Sequence, residues 1–269
     1  MVWMANQQLG GRGKKSRIWG AAFLCWLFLM LITPKIPLSP HNPLFADMRN
    51  FLGVPNTLNV ISNFPFLIVG VLGFVLSLGG SFFNISLRGE VWGWVLFYAG
   101  IASMAFGSAY YHLKPDESRV MWDTLPMMIA YSSLFSSFII ERLGERIGLS
   151  CLLSLLIVAV ISIIYARTFS DLRLCITFQS IPCIAIPIMT FLFPPKYSHS
   201  RYWLWAAGAC IVAKVEALAD MKIYRANRYI ISGHSLEHLC SAIAPVLLTV
   251  MLMHRSIRFQ RLGDLKGRP

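Results

Sequence analysis

The sequence predicts an all-α, polytopic membrane protein: a core of seven transmembrane helices with one extra transmembrane helix at the N-terminus. Three observations lead there. Of the 269 residues, 56% are hydrophobic and only 13% are charged, about half the charge content of an ordinary soluble domain. Apolar runs near the roughly 20 residues that a helix needs to cross a bilayer recur along the chain. No spacer or low-complexity segment is long enough to mark a second domain.

The elements follow in order. A first apolar run at 18–33 stands behind Arg12, Lys14, Lys15 and Arg17, like the basic start of a signal peptide. No small-x-small cleavage site precedes "TPKIPLSP", so an anchor helix that is kept is the expectation. The core runs lie at about 56–79, 92–112, 122–140, 149–166, 174–193, 203–221 and 234–254. Residues 1–55 are then a basic N-terminus, the anchor helix and a non-cytosolic loop. Residues 56–254 are the core, and 255–269 a basic cytosolic tail. Pro65, Pro126, Pro182, Pro187 and Pro245 are candidate kinks within these spans.

The net charge of +12 does not point to nucleic acid, because no basic-aromatic module accompanies it. The Lys and Arg residues sit in short loops and the two tails, where they set topology and meet anionic headgroups. Their excess on one side places both termini in the cytosol. The "NIS" sequon at Asn84 then faces the cytosol and stays unglycosylated. The six cysteines, Cys25, Cys151, Cys175, Cys183, Cys210 and Cys240, form no C-x-x-C pair. They read as small buried hydrophobes without a disulfide framework.

Chemistry enters where polar residues interrupt the apolar runs. Successive spans alternate direction, so parity assigns their ends to leaflets. Asn56, Asn59, Ser62 and Asn63 open the second span, Ser108 and His112 close the third, and Asp123 opens the fourth. Glu216 and Asp220 close the seventh, and His234 and His238 open the eighth. All fall on the non-cytosolic side. Ser108 and His112 are i,i+4 and share a helix face, as do His234 and His238. Two imidazoles one turn apart reach one metal ion, and a third from another helix completes three protein ligands. Zinc with three nitrogen ligands and one open position is the catalytic arrangement. Unpaired polar groups in a membrane are expensive and usually functional. His41, His199 and His254 lie in loops or at span ends and read as solvated.

"HSLEH" also matches the inverted zinc-protease pattern H-x-x-E-H, with Glu237 as base. That chemistry needs a downstream ligand, and only Asp264 follows, in a basic tail, so this reading is set aside. Glu216 and Asp220 are i,i+4; they bind a substrate's polar head or neutralise Lys214 and nearby arginines.

The combination of S-x3-H, an Asp eleven residues later, and H-x3-H in the last span resembles the alkaline ceramidase family. That family belongs to a superfamily of seven-helix membrane hydrolases with the progestin and adiponectin receptors and the GPI-lipid remodelling proteins. "NVISN" at 59–63 and "DTLPM" at 123–127 are similar to further family segments, and "FADMRNFLGVPNTLNVISNFPFL" looks closest to plant-type members. The resemblance covers about residues 45–255. It implies zinc held by His112, His234 and His238. Asp123 would orient the attacking water and accept its proton, and Ser108 would help stabilise the oxyanion. The implied reaction is hydrolysis of ceramide or phytoceramide to a sphingoid base and a fatty acid. Asn59, Ser62, Asn63, Glu216 and Asp220 stand as substrate-binding or structural candidates.

Some family members also bind calcium beside the zinc through several carboxylates. Asp47, Asn50 and Asn56 offer fewer charges here, so calcium is the weaker expectation. Other functions remain open: hydrolysis of another membrane lipid of the GPI type, or a lipid-sensing receptor or transporter with a structural zinc. The partner expected is a membrane lipid, with no protein partner implied. The expected location is the endoplasmic reticulum or Golgi, with the plasma membrane as alternative.

Overall fold

The computed structural model describes residues 30, 32–38 and 45–257. Nearly all of the expected anchor helix at 18–33, His41, and the tail beyond 257 lie outside the described residues. Those described are helical, and no strand is present among them. In chain order the helices are α1 (Thr57–Ile61), α2 (Phe64–Leu78), α3 (Arg88–Leu113), α4 (Val120–Leu143) and α5 (Glu145–Phe169). There follow α6 (Arg173–Leu192), α7 (Arg201–Leu218), the short α8 (Asp220–Ala226) and α9 (Gly233–His254).

Six of these segments are long and apolar enough to cross a membrane, α1 and α2 counting as one, and the protein is an integral, multi-pass membrane protein. Helix α7 spans 18 residues and packs between α6 and α9, but it carries Arg201, Lys214 and Glu216 and is not among the six. The reason is visible in the packing: part of its polar surface faces an internal cavity rather than lipid. The outward surface is the reverse. On α5, Ile157, Ile161 and Ile164 are exposed, an arrangement that only an apolar solvent satisfies.

The chain breaks its helices where local chemistry requires it. Pro65 lies in the first turn of α2, and without an N–H it cannot continue the ladder from α1. The turn is closed by side chains: Ser62 Oγ and Asn63 Nδ2 both donate to the carbonyl of Asn59, at 3.1 and 2.8 Å. Pro126, Pro182, Pro187 and Pro245 instead lie inside continuous helices. A second break falls at Ala219, between α7 and α8.

Helix α3 is central, packed on α2 and α4, while α9 packs on α7 and more lightly on α2. An aromatic knot fills the middle. The ring of Trp94 lies 5.7 Å from both Phe97, edge-on, and Trp203, tilted, and Phe138 meets Trp203 edge-on at 5.1 Å.

The alternation of helix direction is borne out by what meets at each end. At one end, the carbonyl of His112 accepts from Asn56 Nδ2 at 2.8 Å, and the N–H of His234 donates to Asp220 at 2.8 Å. At the other, Arg255 after α9 pairs with Glu90 at the start of α3, at 3.0 Å. Arg255 also lies 3.8 Å from Glu141 at the end of α4. Tyr197 donates to Glu90 at 2.8 Å, and Trp203 Nε1 to Glu141 at 3.2 Å. Arg255 and Arg142 read as solvated topology charges in the sequence. The structure buries both side chains in this cluster, because Glu90 and Glu141 are buried opposite them.

Candidate metal centre and its cavity

Two helix ends deliver the three histidines of the centre. Helix α3 ends at Leu113 and delivers His112 in its last turn. Helix α9 begins at Gly233, so His234 and His238 occupy its first turns on one face. Ser232 caps α9, its hydroxyl accepting from the N–H of Ser235. Asp220 adds a second anchor, with one carboxylate oxygen on the N–H of His234 and the other on the N–H of Ala46, each at 2.8 Å. A carboxylate at a helix N-terminus is favourably placed against the helix dipole.

The three imidazoles converge. Their ligand nitrogens all lie within 4.8 Å of one another. His112 Nε2 and His234 Nε2 are 3.4 Å apart. Two ligands about 2.0–2.1 Å from a tetrahedral zinc sit roughly 3.3–3.4 Å apart, so this pair fits such an ion without rearrangement.

In His238 and His234 the partner of the remaining ring nitrogen fixes which atom faces inward. Ser62 Oγ lies 2.8 Å from His238 Nδ1 and 3.1 Å from the carbonyl of Asn59. A hydroxyl has one proton. Given to Asn59, it leaves the oxygen to accept from His238 Nδ1–H, and Nε2 then keeps its lone pair for a metal. His234 reaches the same state by another route: its Nδ1 lies 3.1 Å from a carboxylate oxygen of Glu237. The other oxygen of Glu237 pairs with the ammonium of Lys214. Second partners of this kind orient metal-binding histidines. His112 Nδ1 is buried without a hydrogen-bond partner. Phe45 closes the centre from the loop side, stacked on His234 and edge-on to His112, with ring centroids 4.8 Å away in each case.

The centre opens into a cavity of about 220 Å³ inside the bundle. Asp123, Ser108, His234 and His238 line its polar end together with Lys214 and Glu237. Ser108 is buried, and its hydroxyl interacts with the Asp123 carboxylate. Asp123 is not part of the group of potential ligands, which among the described residues consists of the three histidines. From there the wall turns apolar: Phe97, Ile101, Leu134, Ile186, Trp203 and Leu248 lead into the bundle.

Two glycines let the helices come this close. A Cβ on Gly107 would meet the carbonyl oxygen of Trp122 at 1.9 Å, between Ser108 and Asp123. A Cβ on Gly233 would meet the carbonyl oxygen of Glu216 at 2.3 Å. The start of α9 rests on the break between α7 and α8.

The other candidates have separate tasks. Asn59 is buried, donates to the carbonyl of Asp47 at 3.2 Å and accepts from Ser235 at 2.7 Å. Glu216 accepts from the Cys240 thiol at 3.4 Å and is not the partner of Lys214. Of the calcium candidates, Asp47 is taken up by Arg49, at 2.7 Å from its guanidinium. Burial opposes the charge on Asp47, but the side-chain and backbone hydrogen bonds of Arg49 outweigh it and lower its pKa. Asn56 spends its amide on His112, and Asn50 is exposed.

Sequence reasoning placed the three histidines, Ser108 and Asp123 together, and the structure does the same. It missed Phe45, for which a lone aromatic in a loop gives no signal. It also missed the Glu237–Lys214 pair. The 23-residue separation between them carries no periodicity that could reveal it. No protein-family model matches the chain and no curated protein matches it.

Proposed function

We propose that the protein is a zinc-dependent intramembrane hydrolase of a long-chain lipid amide of the ceramide or phytoceramide class. The observation that carries the hydrolase reading is the conjunction at one point of three converging histidine nitrogens, a non-ligating carboxylate and an apolar cavity; the ceramide class is what the resemblance to the alkaline ceramidase family implies. Three nitrogen ligands leave a zinc position open, whereas closed structural sites use four protein ligands. This favours a catalytic centre over a receptor or transporter with a structural metal.

When bound, zinc would supply a Lewis acid and a water acidic enough to ionise near pH 7. The chain's own residues do the rest. Asp123, in the cavity but outside the ligand set, accepts the proton of the attacking water and returns it to the leaving nitrogen. Ser108, beside Asp123, turns its single hydroxyl proton to the oxygen of the carbonyl as charge develops on it and Asp123 takes up the proton of the water. The apolar wall takes an alkyl chain, and the site's position inside the bundle lets a membrane lipid react without leaving the bilayer.

The test uses protein purified in detergent. Fatty-acid release is measured from ceramide, phytoceramide and dihydroceramide for wild type, His234→Ala and Asp123→Ala, with zinc content in parallel. Turnover lost in both variants, with zinc lost only from His234→Ala, is the expected result. Bound zinc without turnover on any of these lipids would reject the reading and favour a structural metal or another lipid bond.

A further inference from the structure

Asn63 is buried, with 2% of its surface accessible. Its Nδ2 donates to the carbonyl of Asn59 at 2.8 Å. That bond fixes the amide's orientation, since a flipped amide would set two oxygens against each other. Its Oδ1 is then a buried acceptor with no partner. Such an atom is costly unless something completes it.

Its position says what could complete it. The inner cavity holds the histidine centre. A second, more open hollow of about 660 Å³ lies between α1, α2, α3 and α9. This outer groove is apolar, and Ile61, Phe64 and Phe106 on its lining are exposed on the membrane-facing surface. Asn63 is the residue that lines both spaces. Ser62, its neighbour in the groove, holds His238. An unpartnered acceptor therefore stands at the threshold between two apolar compartments, one residue away from a group that bonds a metal ligand.

A two-chain lipid fits this layout, with one chain in each compartment and its polar middle at the threshold. We infer that Asn63 Oδ1 accepts a hydrogen bond from the substrate's amide N–H, so that the site selects a secondary amide carrying two alkyl arms over an ester or a tertiary amide. The inference rests on the lipid-amide reading above and adds the group by which the amide is told apart. A site built to hydrogen-bond a substrate N–H rejects analogues without it, because its own buried acceptor is then left unpaired. Asn63 is a specificity residue in this account and takes no part in bond breaking.

The test compares a long-chain secondary amide of the ceramide type with its N-methyl counterpart, which lacks the donor. Each competes against a fluorescent two-chain lipid on the full-length protein in detergent, so the readout is binding and not turnover. Wild type is expected to bind the N–H compound about tenfold or more tightly than the N-methyl one. Asn63→Leu, similar in size but without an acceptor, should bring the two within about twofold. A preference that survived in Asn63→Leu would assign it to the bulk of the methyl group and reject the inference. Equal binding of the two compounds to wild type would overturn the role of Asn63 and leave the lipid-amide site standing. No competition by either compound would overturn both.

Discussion

Glu237 Oε2 lies 3.1 Å from His234 Nδ1, on the side of the imidazole away from His112. The two residues are i,i+3 on α9, so one helical turn supplies both a candidate metal ligand and the group that orients it. Lys214 from α7 holds the other carboxylate oxygen. Glu237→Gln keeps the shape but removes the charge that favours the Nδ1–H form of His234. Zinc affinity is expected to fall by about 10–100-fold, measured by competition with a chromogenic chelator. Lys214→Met should lower it less, since Lys214 acts through Glu237. Unchanged affinity in Glu237→Gln would remove the outer partner from the account.

Close helix approach at the centre can be probed through its glycines. Gly233→Ala places a methyl group 2.3 Å from the carbonyl oxygen of Glu216, and the start of α9 must move, taking His234 with it. Overpacking of this kind costs roughly 1–3 kcal/mol. Gly208→Ala on α7 meets nothing within 4 Å and serves as the control. The expected outcome is a lower melting temperature with weaker zinc binding for Gly233→Ala, and wild-type behaviour for Gly208→Ala.

The buried charges at the far end give an independent prediction. Arg255→Met leaves Glu90 and Glu141 without the guanidinium that lies 3.0 and 3.8 Å from them. Removing one partner of a buried pair costs about 3–5 kcal/mol. Adding Glu90→Gln to Arg255→Met should recover part of that loss, because the uncompensated charge is gone. Thermal unfolding of the single and double variants checks the order. Zinc affinity should stay at the wild-type value in whichever variants remain folded, since the cluster sits at the opposite end of the bundle from the histidines.

A pH dependence is expected at the loop between α5 and α6. Burial opposes the charge on Asp171. Hydrogen bonds from the Arg173 side chain, the backbone N–H groups of Arg173 and Ile36, and Tyr165 outweigh it and hold its pKa down at about 2. Arg173 also donates to the carbonyls of Met30 and Thr33, so this ion pair fastens the chain before the core. A depressed carboxylate pKa stabilises the fold above the unfolded value of 3.8. That contribution fades as pH falls from there through about 2. The melting-temperature difference between wild type and Asp171→Asn should therefore be constant above pH of about 4 and shrink below it. A difference that persisted unchanged at lower pH would contradict the assignment.

The sequence by itself determined the helical class, the approximate bounds of the long helices and the trio His112, His234 and His238. Each rests on a local, periodic signal: apolar runs long enough for a bilayer, polar residues at i,i+4, and alternation that sends successive helix ends to opposite leaflets. It also located Ser108 and Asp123, whose neighbours in sequence are helix ends at the same depth. Tertiary structure decided the rest. Lys214 pairs with Glu237 and not with Glu216, because the rotation of α7 against α9 sets the partner and no spacing encodes that rotation. Arg255 is buried among Glu90 and Glu141, although its sequence context is that of a solvated basic tail. Asn63 stands between two cavities because Pro65 interrupts the helix beside it, and the spaces it separates exist only once α1, α2, α3 and α9 are packed.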